Sequence, residues 1–450
     1  MLRSLRRVSA SEFGINVRRL VVGNGLGQAI TLLSTLVVAR LFDPDDFGVA
    51  ALFLSVTMMV SAVGSLRYDQ AVILPESDSI AARLLVLAVL LAFASAGALL
   101  LALMVLAWGA PEFAWVEQLG IWLYAVPLGM LLMTLFYALS AWRMRKKDFG
   151  RLAAAPVALS AATAGGRIGF GFWWGSSVAG LILGTLMGVV AQLYVVAAGV
   201  RSALPSGGGG SSPGCGLRQL AREYREFPFY AAPAALVKQI GENLPVLLLS
   251  LMFAPAVVGF YAVANRLIRL PVGVVSESLR KVYLQRVAQR LNSGATLRGD
   301  LLKVTIGMLG VGALPTAFLV VAGPWLFGLL LGDRWVAAGE YSRILAPWLL
   351  AMFAAAPAST AYIVLRRQSL WLRMQTGRTI LMGGALYLPY LFGGGAIECL
   401  ITFTIAGVLA NVSVIGTAIG LCSYHDRHVS AAAPAMTGLS STMKSDIGKY

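Results

Sequence analysis

The sequence predicts an all-α polytopic membrane protein: about twelve transmembrane helices in two six-helix bundles around a central cavity, related by a pseudo-two-fold axis along the membrane normal. Three observations predict it. First, 58% of the 450 residues are hydrophobic and only 12% are charged, with a mean hydropathy of +0.77. A soluble domain of this size could not bury so much apolar surface. Second, the apolar stretches are continuous and about 20 residues long, enough to cross a ~30 Å hydrocarbon core as helix. They do not alternate as barrel strands do. Third, the Lys and Arg clusters all fall on one side if the chain crosses an even number of times.

The chain opens on a basic arm, residues 1–19, with Arg3, Arg6, Arg7, Arg18 and Arg19, and no cleavable apolar leader is expected. The first apolar segment is expected to act as both signal and anchor. Six spans are expected at 20–41, 47–66, 84–107, 119–141, 152–172 and 177–200, forming an N-terminal bundle over 20–200. The fifth is interrupted by Gly165, Gly166 and Arg167. A polar linker, 201–227, follows. Its Gly/Ser run reads as a flexible connector, and "LRQLAREYREF" as a short amphipathic helix. Six more spans, at 229–252, 257–279, 302–322, 343–365, 377–393 and 398–421, make a C-terminal bundle over 228–422. The eleventh is short and Gly-rich. The tail, 423–450, is Ser/Ala/Lys-rich, holds His425 and His428, and is expected to lack regular structure.

The net charge is +16. The arm, "WRMRKKDFGR" (142–151), the 280–303 segment and the cluster Arg366, Arg367, Arg373 and Arg378 carry most of the positive charge. The opposite loops, such as "LFDPDDFG", are acidic or neutral. The basic side is expected to be the cytoplasm, with both termini there and membrane lipids as its partner rather than nucleic acid. Cys215, Cys399 and Cys422 have neither disulfide-frame nor metal-ligand spacing. No cofactor is expected. No Gly-x-x-x-x-Gly-Lys-Ser/Thr phosphate loop is present, so the chain is not expected to hydrolyse ATP.

The two halves read as repeats. Phe42, Pro44 and Gly48 in "LFDPDDFGVA" recur at the same internal spacing as Phe253, Pro255 and Gly259 in "MFAPAVVGFY". "SLR" follows in both, at Ser65–Arg67 and Ser278–Arg280. Six spans separate the copies. An even number preserves topology, so the halves are expected to be parallel repeats.

Ionisable residues inside spans are costly, about 2.5–3.5 kcal/mol each at a helix centre on insertion scales, and face a bundle interior or a water-filled path. Five fall inside the expected spans away from their ends: Arg167, Lys238, Glu242, Arg266 and Arg269. Arg266 and Arg269 share a helix face with the small residues Ala262 and Gly273. This reads as a cationic site for an anionic substrate, because guanidinium matches phosphate geometry and keeps its charge. Lys238 and Glu242 stand four apart and can pair; a structural pair and an ion-coupled switch both fit. Arg167 and Lys238 are further substrate-binding candidates. On the first span Asn24, Gln28, Thr31 and Thr35 share a face. Asn24 and Gln28 are candidates to line the cavity, and helix-to-helix packing of these polar residues is the alternative. Gly23 and Gly27 read as packing positions within the bundle.

Three stretches carry a family resemblance. "ARLFDPDDFGVAALFLS…SLRYDQAVILP" and "EFPFYAAPAALVKQIGENLPVLLLSLMFAPAVVGFYAVANRLIRLP" resemble the openings of the two halves of bacterial O-antigen, capsule and exopolysaccharide flippases. These flippases belong to the multidrug/oligosaccharidyl-lipid/polysaccharide exporter superfamily. "LGDRWVAAGEYSRILAPWLL" resembles the family's Phe-Gly-x-x-Trp-x-x-Ala-Gly stretch, with Leu331 where Phe is usual. The resemblance covers about residues 18–420.

It implies a non-enzymatic inner-membrane flippase that moves an undecaprenyl-diphosphate-linked oligosaccharide to the periplasmic leaflet by alternating access. It implies a cationic lumen, with Arg266 and Arg269 in that role. It leaves ion coupling open, and other polysaccharide-assembly proteins are possible partners. The alternatives are a small-molecule exporter of the same superfamily and, less well supported, a polysaccharide polymerase or ligase. An exporter of cations would favour carboxylates in its cavity, where basic residues dominate here. A polymerase would need acid/base residues on outer loops, and the longest, 323–341, offers only Asp333, Arg334 and Glu340.

Overall fold

The computed structural model describes residues 2–173, 175, 177–200, 216–292, 296–365 and 367–446. The Gly/Ser run of the linker and Cys215 lie outside them. Among the described residues all regular structure is helical. In chain order the helices are α1 (Leu2–Leu41), α2 (Pro44–Ser61), α3 (Tyr68–Ala71), α4 (Asp78–Gly109), α5 (Ala114–Leu119), α6 (Val126–Arg145), α7 (Phe149–Trp173), α8 (Val178–Ala197), α9 (Leu217–Glu223), α10 (Ala232–Met252), α11 (Pro255–Asn292), α12 (Arg298–Leu331), α13 (Val336–Ala355), α14 (Ala358–Val364), α15 (Gln368–Leu391) and α16 (Ala396–Asp446).

Twelve of these have 18 residues or more, one for each expected span. Among the described residues nine helical segments are long and apolar enough to cross a membrane, which makes the chain multi-pass. Helices α7, α11 and α15 are not among the nine. Each is diluted by polar or small residues: Arg167 with Gly165 and Gly166, Arg266 with Arg269, and Arg373 and Arg378 with Gly383 and Gly384. The basic arm forms the first part of α1. One expectation needs correction: the tail continues α16 as helix to Asp446; the run Ala431–Ala433 and the Met, Leu and Lys around it are good helix formers.

Contacts divide the chain into two compact units: Met1–Val263 with Phe327–Val336, and Ala264–Leu326 with Ala337–Tyr450. In the first unit α7 packs against both α1 and α8. Small residues permit it. A Cβ on Gly27 would stand 2.9 Å from the Pro156 carbonyl oxygen, and one on Gly188 2.7 Å from that of Leu159. Gly23 meets the Ala153 backbone as closely, so Gly23 and Gly27 do serve packing within the bundle. Helices α4, α6 and α8 complete this layer. Leu220 of α9 is fully buried in a cluster with Tyr68, Leu84, Leu85 and Trp142, which pins the expected amphipathic helix to the end of α4. At the same end Arg145 binds the Asp78 carboxylate at 2.9 Å and the Glu76 carbonyl at 2.9 Å.

In the second unit the core joins Tyr283, Leu301, Ala358, Tyr362, Val414 and Ala418. Tyr362 donates to the Val414 carbonyl at 3.0 Å. Asp426 accepts the free amides of Leu297 (2.9 Å) and Arg298 (3.0 Å) at the start of α12, the groups a helix start leaves unsatisfied.

Candidate functional site

In the second unit Arg266 lies eleven residues into α11, about 16 Å from its start, and Arg269 about 21 Å. Both depths are near the middle of a ~30 Å hydrocarbon core. The residues expected on one face do share one: Ala262 and Arg266 are half-buried, and Arg269 and Gly273 are exposed. Around the helix Ala264 and Ile268 are buried. Among the described residues, none comes within 4 Å of where a Cβ on Gly273 would sit. The face therefore opens at Arg269 and Gly273, with Arg266 set deeper beside them.

In the first unit Asn24 and Gln28 are exposed on α1, while Thr35 is buried and Thr31 donates to the Ser160 hydroxyl on α7 at 3.0 Å. The expected polar face thus divides: its Thr residues pack, and Asn24 and Gln28 stay open. Lys238 and Glu242 on α10 approach to 3.8 Å with side chains 74% and 53% exposed. At 3.8 Å and with both side chains so open, the pair is not held by the surrounding protein. Arg167 is different. It is 9% exposed, lies against Gly184 of α8, and donates to the Thr185 hydroxyl at 2.8 Å. Its position is that of a side chain holding α7 to α8.

The two copies of the Pro-x-x-x-Gly repeat meet each other, which the sequence did not announce. Gly48 lies on the Pro255 carbonyl and Gly259 on the Pro44 carbonyl. This reciprocal contact is what a two-fold relation produces. Asp45 accepts the Ala256 amide at 2.9 Å, capping the start of α11. Arg334 pairs with Asp43 at 2.6 Å. Trp335, fully buried, donates to the Ala39 carbonyl at 2.7 Å and stacks edge-on to Phe47 and Phe260. Together these contacts form a clasp at one end of the first unit, the end away from α9.

A second feature escaped the sequence. The expected span 47–66 does not stay helical. Helix α2 stops at Ser61, and turns carry the chain to α3. Leu66 (φ 49°) and Arg67 (φ 65°) both adopt the left-handed conformation, at about 1–2 kcal/mol for each non-glycine residue. The break is inside the apolar belt. The Gly64 carbonyl accepts from Ser95, at the centre of the apolar stretch of α4, and Gly64 packs on Met130 and Thr134 of α6. Beyond it Tyr68, Asp69, Ala71 and Val72 are buried, and the Asp69 carboxylate is held by Ser65 at 2.5 Å. Arg67 and Asp69 are thus two more charges set against the apolar helices α4 and α6. They were hidden because the expected span ended at residue 66, just before them, and no Gly or Pro marks the left-handed pair.

Residues 37–340 match the family described as "Polysaccharide biosynthesis protein". The chain belongs to this family. Its fold is shared with solved transporters. A lipid II flippase MurJ in an inward closed conformation aligns with a TM-score of 0.66 and 12% identity, over 91% of this chain and 90% of that one. An inward-facing multidrug resistance MATE family transporter of the MOP superfamily aligns with 0.58 and 14%, over 91% and 96%. A MOP superfamily transporter from Pyrococcus furiosus Vc1 gives 0.56 and 16%, over 92% and 96%. No curated protein matches the sequence. This member of the polysaccharide biosynthesis family therefore has the fold of MOP-superfamily transporters and flippases, as its repeats and its "SLRYDQAVILP" and "VVGFYAVANRLIRLP" stretches led one to expect.

Proposed function

We propose that the protein is a flippase that moves a polyprenyl-diphosphate-linked oligosaccharide across the bacterial inner membrane by alternating access, for surface or exopolysaccharide assembly. The observation that carries this reading is the open face of α11, where Arg266 and Arg269 stand beside Ala262 and Gly273 at mid-membrane depth. Two guanidiniums three residues apart suit a diphosphate, each forming paired hydrogen bonds to phosphate oxygens. The lipid tail stays in the bilayer while the sugar crosses a hydrated path, so the head group never loses its polar contacts. Membership of the polysaccharide biosynthesis family supports the sugar-lipid substrate over a small drug-like one.

In this reading both termini and the linker are cytoplasmic, and the clasp closes the periplasmic end. Asn24 and Gln28 supply neutral contacts to sugar hydroxyls. The openness of Lys238 and Glu242 supports access of water and ions, which an ion-coupled role for Glu242 requires. Partners would be the lipid-linked substrate, membrane lipids and other polysaccharide-assembly proteins.

The test is Arg266→Ala/Arg269→Ala in a strain lacking the native copy, with variant protein at normal level. The expected result is loss of surface polymer with lipid-linked precursor accumulating on the cytoplasmic side. Normal polymer would contradict the assignment.

A further inference from the structure

The break in α2 carries an inference beyond the arginine face of α11. Irregular backbone at membrane depth is found where it is enclosed by protein or lines a water-filled path, because lipid satisfies no backbone group. Interrupted helices in transporters are where substrates and ions bind. Here the interruption delivers a cation. Arg67 is half-buried, and its Nε is buried with no hydrogen-bond partner among the described residues. The nearest acid in sequence, Asp69, is already engaged by Ser65. Gln70 and Tyr137 are exposed nearby, the latter close enough to feel the charges of Arg67 and Asp69. Helix α3 meets the turn Phe227–Ala231 that leads into α10. The break thus lies toward the same helix that presents Lys238 and Glu242.

The second repeat sharpens the point. Its own "SLR", Ser278–Arg280, lies inside the unbroken helix α11. The same three residues are helical there, whereas here the last two, Leu66 and Arg67, are left-handed, so local preference does not dictate the break. Surrounding packing imposes it, and its consequence is to hold a guanidinium whose buried Nε has no hydrogen-bond partner among the described residues.

We propose that the break is a phosphate-binding station and that Arg67 is its ligand for the diphosphate head group of the substrate as it loads from the linker end. This inference rests on the flippase reading. Guanidinium is the side chain suited to the task, since it stays charged when half-buried and offers paired donors to phosphate.

The test uses the full chain in nanodiscs, with farnesyl diphosphate as probe and farnesol as uncharged control, binding being read from tryptophan fluorescence. Arg67→Asn removes the cation while suiting the left-handed backbone, which Asn tolerates well. Arg67→Lys keeps a point charge without the fork. The expected result is a tenfold or larger loss of farnesyl diphosphate affinity in Arg67→Asn and a smaller loss in Arg67→Lys, with farnesol binding and Tm unchanged. Wild-type affinity in Arg67→Asn would overturn the inference. So would equal losses for diphosphate and farnesol with a lowered Tm, which would mark Arg67 as a packing residue. If Arg67→Asn fails to fold, Arg67→Lys decides: weakened diphosphate binding supports the station, and wild-type binding overturns it. A wild-type protein that binds no farnesyl diphosphate would refute the flippase reading itself.

Discussion

Consider Gly48→Ala at the clasp. A Cβ there would stand 2.6 Å from the Pro255 carbonyl carbon and 3.0 Å from its Cα, with the carbonyl oxygen closer still. Carbon atoms pack at about 3.5–4.0 Å, so the start of α2 and the start of α11 must part by about 1 Å. The obstacle is backbone, and no side chain can swing away. The Asp45–Ala256 cap, now 2.9 Å, would stretch to about 3.9 Å and cease to be a hydrogen bond. Overpacking costs about 1–3 kcal/mol and loss of a helix cap about 1 kcal/mol. The clasped state should therefore lose about 2–4 kcal/mol, or roughly 30- to 1,000-fold in population against an open one. Gly259→Ala should do the same through the Pro44 carbonyl. The assay is modification of a thiol at Val49, which is buried beside Gly48, by a membrane-impermeant maleimide in a background without the native cysteines. Gly48→Ala should raise the labelling rate more than tenfold. Labelling and Tm both equal to the parent would refute the claim that this contact holds the end shut.

Other expectations follow from individual contacts. Trp335→Phe should lower Tm, because the Ala39 carbonyl loses its buried donor, at about 1–3 kcal/mol; calorimetry in detergent reads it. Arg167→Lys cannot reproduce the Thr185 bond under Gly184. It should destabilise the α7–α8 contact while polymer output per folded molecule stays at the parent level, and a transport defect at unchanged Tm would return Arg167 to the substrate path. In a double-mutant cycle Lys238→Met and Glu242→Gln should couple by less than about 1 kcal/mol in stability, as an exposed pair does; coupling above about 2 kcal/mol would mean the pair is enclosed. Tyr362→Phe should cost about 1 kcal/mol through its bond to the Val414 carbonyl.

The sequence made the helices legible because most spans are long apolar runs, and the twelve expected spans match twelve long helices. It also exposed the Pro-x-x-x-Gly repeat, though not that its two copies touch. Reciprocal contact is a property of the folded pair and leaves no mark within either copy. The arginine face of α11 was readable from three- and four-residue spacing alone. The break in α2 was not. Gly64 precedes the left-handed residues rather than occupying their positions, and the matching "SLR" in α11 is helical. Arg167 looked like its fellow intramembrane cations, and only Gly184 and Thr185, distant in sequence, show that it is packed.

The central claim is translocation itself. The most direct measurement reconstitutes the purified chain in liposomes with a fluorescent polyprenyl-diphosphate oligosaccharide and follows the fraction reached by an impermeant quencher or a sugar-modifying enzyme. The account predicts protein-dependent exchange between leaflets that Arg266→Ala/Arg269→Ala abolishes. Exchange no faster than in empty liposomes, under an imposed ion gradient as well as without one, would contradict it.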